Sequence, residues 1–201
     1  MYPDPNLLGK AKGELLLQIL VIDNRFRAIY LQCVIRGNDV NLIEHVDHKY
    51  LNINVSDPRY ANSAFRSLKE LPPKQKGKYF ELIASDVLTK IGFAVKPPVN
   101  TDHDRIVNSV KMEIKGSTLA KGSNHFSFLQ IRTNQDYDKL LFAMFYPDEL
   151  VLMQMSKEDI TKNITKGVFK KQHGGNKGES GTYCYYGNKE TLLLIGGEVI
   201  G

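Results

Sequence analysis

Thr101-Asp102-His103-Asp104-Arg105-Ile106-Val107, a turn at Asn108-Ser109, then Val110-Lys111-Met112-Glu113-Ile114-Lys115-Gly116-Ser117: this is the stretch on which the fold turns. It predicts two short strands joined by a tight turn. In the second strand Val110, Met112 and Ile114 point one way, into a core, and Lys111, Glu113 and Lys115 point the other way. Glu113 and Lys115 therefore share a face, roughly 7 Å apart by strand rise. Pairing of the two strands brings Asp104 next to Glu113, so that two carboxylates and one ammonium converge.

Such a trio has a chemical use. Adjacent carboxylates repel one another unless something neutralises them, and a hard divalent cation such as Mg²⁺ does so through oxygen ligands. A cation held there polarises a phosphodiester and lowers the pKa of a bound water. The ammonium orients the attacking hydroxide and offsets charge building on phosphorus. A hairpin with an ordinary solvated Glu–Lys face is the alternative, because Glu-x-Lys is a common tripeptide.

Working outward, Lys78 to Ile91 has the spacing of an amphipathic helix, with Phe80, Ile83, Ala84, Val87, Leu88 and Ile91 as its apolar stripe, Gly92 as its stop and Glu81 at the margin. Phe93-Ala94-Val95 is a short strand, and Pro97-Pro98 begins a loop into the Asp102 segment. After Lys115 a Gly/Ser-rich loop runs through Lys121 to Asn124 and suits contact with a phosphate backbone. Phe126 to Arg132 is the next strand, with Phe126, Phe128, Leu129 and Ile131 buried and Gln130 and Arg132 on the opposite face. Leu140 to Phe145 is continuously apolar, as in a central strand covered on both sides. Pro147-Asp148 turns the chain into a hairpin partner over Leu150 to Met155, after which Ser156 caps a helix with Asp159 three residues on.

Asp104 with Glu113-Ile114-Lys115 resembles the PD-(D/E)XK motif of type II restriction endonucleases and related DNA-cleaving enzymes. Glu81 on the preceding helix, Gln130 on the following strand and the strand pair with helix from Lys139 to about Lys166 extend the resemblance over roughly residues 76–166. The proline expected before the first Asp is absent, so Asp102 competes with Asp104 as a ligand. Asp104 is preferred because it leads directly into Ile106-Val107. The resemblance implies an α/β (α+β) fold with a mixed central sheet flanked by helices. It implies Mg²⁺ held by Asp104, Glu113 and the Ile114 carbonyl, activation of the nucleophile by Lys115, and support from Gln130 and Glu81.

The two ends of the chain are less informative. Residues 1–6 are expected to be loose. Leu7 to about Arg36 has mainly helical spacings, Asp39 caps a short helix through Val46, and Asp57-Pro58 starts a helix through about Leu71, with Asp57 as N-cap. Residues 1–73 are expected to form a mainly helical appendage for dimerisation or DNA contact, with Arg59, Arg66 and Lys69 admitting a recognition-helix reading. Pro72 to Gly77 is expected to be a linker, and residues 74–201 the nuclease-like domain. Lys170 to Tyr183 is rich in Gly and basic residues. Its Lys171, Gln172, His173, Asn176 and Lys177 are expected at DNA, together with Arg132, Lys121 and Asn124.

The chain has 201 residues, enough for a sizeable core, and Lys+Arg 27 against Asp+Glu 22 gives a formal charge of +5. That mild excess agrees with an anionic partner. Cys33 and Cys184 form neither a metal-ligand spacing nor a disulfide framework, so a reducing cytoplasm is the default. No segment has the length of a membrane span. The sequence as a whole points to a Mg²⁺-dependent type II site-specific endonuclease on double-stranded DNA, using no nucleotide cofactor, with a homodimer matching a palindromic target. A structure-selective repair or recombination nuclease of the same fold, or a non-catalytic DNA-binding protein, are the other readings.

Overall fold

The computed structural model describes Leu16–Leu20, Tyr30–Arg36 and residues 55–172 and 181–200, the first two segments by backbone path alone. The strands are β1 (Leu16–Leu20), β2 (Tyr30–Arg36), β3 (Val95–Lys96), β4 (Arg105–Val107), β5 (Val110–Thr118), β6 (Phe126–Arg132), β7 (Lys139–Phe145), β8 (Glu149–Ser156), β9 (Lys170–Lys171), β10 (Thr182–Gly187) and β11 (Glu198–Val199). The helices are α1 (Arg66–Glu70), α2 (Pro73–Lys90), α3 (Lys157–Thr165) and α4 (Lys189–Leu194). The main sheet runs β1-β2-β8-β7-β5-β4-β3, with β11 added beside β8. It is mixed, because β5 and β7 are parallel while its other pairs are antiparallel. A smaller sheet, β6-β10-β9, stands apart from it. The fold is therefore α+β with a mixed central sheet.

The local chemistry explains the central elements. Asn108 and Ser109 both have positive φ (48° and 70°), the two-residue turn whose twist suits a hairpin. β7 is buried along almost its whole length, as its unbroken apolar run requires at the middle of a sheet. Ser156 caps α3 by accepting from the Asp159 amide. α2 lays Phe80, Ile83, Ala84, Val87 and Leu88 into the core and ends at Gly92, whose φ is +96°. Its approach to β5 depends on Gly116, where a Cβ would lie 2.3 Å from the Phe80 Cβ. That closeness lets the Phe80 ring stack on Phe145 at 4.6 Å between centroids.

Four expectations are corrected. Leu16–Leu20 and Tyr30–Arg36 are strands, not helix; β2 joins the main sheet through Ile35 and Arg36, opposite Leu150 and Glu149. Short apolar runs of this kind fit either period, and a free sheet edge at β8 decides. The helix expected from Asp57 to Leu71 is a single 3-10 turn, Pro58–Tyr60, capped by Asp57, followed by the separate α1. The expected linker before Lys78 is the first part of α2, with Pro73 at its opening position, where a missing N–H is harmless. Tyr60, Phe65, Leu68 and Leu71 are buried in the same core as Phe80, so no domain boundary separates them from α2 and the main sheet. Finally, β6 does not alternate throughout, because its register against β10 shifts partway along. Residues 1–6, the helix expected from Asp39 to Val46, and His173, Asn176 and Lys177 lie outside the described residues.

Candidate active site

The β4–β5 hairpin builds the centre. Arg105 pairs with Met112, and the ladder continues one residue further, since the Asp104 amide donates to the Met112 carbonyl at 2.9 Å. Asp104 is thereby set opposite Glu113. One oxygen of its carboxylate, Oδ2, accepts from the Ile114 amide at 2.7 Å, which fixes its direction. Glu113 is only 5 % exposed, and its Oε1 receives Lys115 Nζ at 2.6 Å. Lys111, on the same strand, is drawn instead to Asp136, 2.6 Å away. Through its contacts with Met112 and Ile114, Asp104 is the carboxylate that lies beside Glu113, and Asp102 acts electrostatically on Lys111.

The charges around this point do not balance. Burial pushes the Glu113 carboxyl above its ordinary range; Lys115 opposes this, and the neighbouring Asp104 adds to it. Glu81, projecting from α2, is raised to about 7, first by burial and then by Asp104, with Arg105 and Lys115 pulling the other way. Three carboxylates therefore meet one lysine and one arginine. A carboxyl raised by burial and by a neighbouring carboxylate holds a proton, or is held ionised by a cation beside it. Among the described residues no group of three or more His, Cys, Asp and Glu side chains is placed to hold a metal. The oxygens that could hold a cation here are those of the Asp104–Glu113 pair, with the Ile114 carbonyl as the sequence expects. This all-oxygen set suits Mg²⁺, which keeps much of its water.

A cleft of about 730 Å³ opens beside the centre, lined by the start of α2, by β5 from Ile114 to Thr118, and by Ser127, Leu129 and Gln130 of β6. Glu81 and Lys115 lie in this lining and connect it to Asp104 and Glu113, which are not part of it. Gln130 is exposed to the cleft, and its backbone N–H donates to Gln172 Oε1 at 2.8 Å. Arg132, Lys121, Asn124 and Lys171 are outside the lining.

Some contributors are not legible in the sequence. Lys74, Lys76 and Lys78 line the cleft because α2 begins at Pro73; reading that stretch as a linker hides them. Tyr137 is buried, its hydroxyl has no hydrogen-bond partner, and its pKa is raised to about 12 by burial and then by the Glu113 charge. No local pattern marks it. In β6, Tyr183 faces Ile131 while Tyr185 faces Phe128, so Leu129 and Gln130 together oppose Cys184 in a β-bulge. The alternation that buries Leu129 is therefore broken, and Leu129 is 44 % exposed.

Arg59 and Lys69, candidates for reading DNA, are engaged elsewhere. Arg59 grips the buried Asp57 through Nε and Nη2 and donates to the carbonyls of Ser123 and Ala120 at 2.6 and 2.7 Å. Lys69 donates to the Leu119 carbonyl and lies 3.6 Å from Asp57. They fasten the loop after β5.

No helix among the described residues is long and apolar enough to cross a membrane. No protein-family model matches the chain, and neither does any curated protein. Among solved structures, a bacterial homing endonuclease superposes with a TM-score of 0.35 and 16 % identity, over 43 % of this chain and 67 % of that one. A likeness at that level carries no argument, and what the chain does rests on its own residues.

Proposed function

We propose that the chain is a Mg²⁺-dependent endonuclease that hydrolyses phosphodiester bonds of duplex DNA at a specific sequence, in the manner of type II restriction enzymes. The observation that carries this reading is the meeting of Asp104, Glu113, Lys115 and Glu81 beside a cleft walled by Lys74, Lys76 and Lys78. Asp104 and Glu113 would hold the cation, with the Ile114 carbonyl as a further oxygen. Bound there, Mg²⁺ would polarise the phosphate and acidify a water.

The chain's own groups do the rest. Lys74 and Lys78 attract the phosphate backbone into the cleft, while Lys76 Nζ donates to the Lys69 carbonyl at 2.9 Å. Lys115 Nζ, held on Glu113, is positioned to orient the attacking oxygen and to offset charge on the phosphorus oxygens. Hydrolysis joins the water oxygen to phosphorus, breaks the bond to the leaving oxygen and delivers one proton to it. Glu81, ionising near neutral pH, is suited to take up or give a proton within the cleft. A two-fold homodimer would present one such centre to each strand of a palindromic target.

End-mapping of plasmid digested by the purified protein in Mg²⁺ tests the specificity. Cuts at one recurring sequence are expected. Cuts confined to branched or flapped substrates would replace restriction by structure-selective cleavage, and DNA retained without any cut would leave a binding protein.

A further inference from the structure

The β6 bulge is costly where it stands. Gln130 has φ +57°, a left-handed conformation that favours glycine and is uncommon for a long side chain. Such strain persists only where the surroundings impose it, and it concentrates at functional sites. Here the Gln130 backbone N–H donates to Gln172 Oε1, which leaves the side-chain amide outside that bond, and the register shift lies against Cys184. The effect on the side chains is specific. Phe128 and Ile131 are both fully buried. Without the extra residue the pleat would turn Gln130 inward, toward the core that holds Phe126 and Phe128. With it, two consecutive side chains, Leu129 and Gln130, face outward, and both line the cleft.

Leu129 is the exposed large aliphatic side chain of a lining that also carries Lys74, Lys78, Lys115, Glu81 and Ser127. An apolar surface and an amide side by side, within a cationic cleft, match a ligand with a flat apolar face, a hydrogen-bonding edge and an attached phosphate. A nucleotide in a DNA strand has these three features.

We infer that the Leu129–Gln130 bulge is a specificity-determining element that packs Leu129 against a nucleobase and offers the Gln130 amide to that base's edge. The inference rests on the reading of the cleft as a DNA site but not on catalysis. Glutamine pairs its amide with two groups on one base edge, adenine being the usual partner, and apolar side chains press on bases and open steps between them.

Binding of a randomised duplex pool, with Ca²⁺ replacing Mg²⁺, followed by sequencing of the retained fraction, tests it. The wild type is expected to enrich one base at one position about tenfold or more. Gln130→Ala should erase that preference while lowering total binding by no more than about threefold. Leu129→Ala should weaken binding of all sequences about tenfold, in keeping with the loss of a base contact. Gln130→Gly separates a reading role from a merely structural one. Relief of the left-handed strain should raise the melting temperature by about 2 °C, and the preference should vanish with it. Retention of the wild-type preference by Gln130→Ala and Gln130→Gly, or the absence of any preference in the wild type, overturns the inference. Cleavage is scored separately in Mg²⁺. A base preference without cutting leaves the bulge in place and removes the nuclease; cutting without dependence on Gln130 does the reverse.

Discussion

Two clusters of charge lie on this molecule, and they resolve their charges in opposite ways. Around Asp57, one buried carboxylate is met by Arg59 and Lys69, and the remaining donors of both cations fall on backbone carbonyls. The Asp57 carboxyl is accordingly lowered to about 2, chiefly by the Arg59 hydrogen bond. Around Asp104, carboxylates outnumber cations, and Glu113 and Glu81 are raised. The first cluster is satisfied and stabilises the loop after β5. The second is left short of positive charge, which is what the proposed binding of a cation and a phosphate would answer. From sequence the two look alike, and Arg59 and Lys69 have the chemistry of a DNA contact; their carbonyl partners, some 50 to 64 residues away in the chain, decide otherwise.

The sharpest break between the clusters is in chemistry. Asp104→Ala and Glu113→Gln should abolish cleavage in Mg²⁺, and Lys115→Ala should lower the single-turnover rate by about 10²- to 10³-fold. Asp104→Ala and Glu113→Gln should melt at or above the wild-type temperature, because a repelling or poorly compensated buried carboxylate is removed, whereas Lys115→Ala should melt below it, because Glu113 is left buried without its partner. A thermal melt beside the cleavage assay checks both. Arg59→Ala should do the opposite, costing about 3 kcal/mol in urea denaturation, because it leaves Asp57 buried with a weaker partner. If instead Arg59→Ala weakened DNA binding with stability unchanged, the separation of the two clusters would collapse.

Smaller effects are expected at the cleft wall. Lys74→Ala and Lys78→Ala should each reduce the slope of log binding against log salt by about 1, uniformly across sequences. Lys121→Ala, outside the lining, should leave that slope as it is.

The clusters also oppose one another in pH. Asp57, with its folded pKa near 2 against 3.8, contributes stability that is present above about pH 4 and is lost as pH falls toward 2. Glu81, near 7 against 4.5, favours the folded state fully below about pH 4.5, and that contribution is lost as pH rises through 7. In EDTA, Glu81→Gln should therefore flatten the decline of the melting temperature between pH 5 and 8, and Asp57→Asn should flatten its acid limb. Unchanged profiles in these variants would remove the assigned groups from the titration.

How much of this the sequence disclosed depended on the range of the interactions. The hairpin at Asn108-Ser109, the stripe of α2, the buried β7 and the Ser156 cap are local patterns, and each appears where its residues predict. Asp104 beside Glu113 needed only a two-residue turn and a period of two. What failed was non-local. The strands at Leu16–Leu20 and Tyr30–Arg36 depend on the edge of β8, and the bulge at Leu129–Gln130 depends on β10, which is contributed more than 50 residues later. Pro73 misled for a different reason: a proline stops a helix from within but also opens one at its first position.

The most direct measurement is plasmid cleavage by the wild type and by Glu113→Gln, followed across a Mg²⁺ titration on one gel. Wild-type cutting that rises with Mg²⁺, ceases in EDTA and is missing from the variant at every concentration is the predicted result. Equal cutting by the two proteins, or cutting that ignores Mg²⁺, would contradict the assignment of the Asp104–Glu113 pair as the seat of the chemistry.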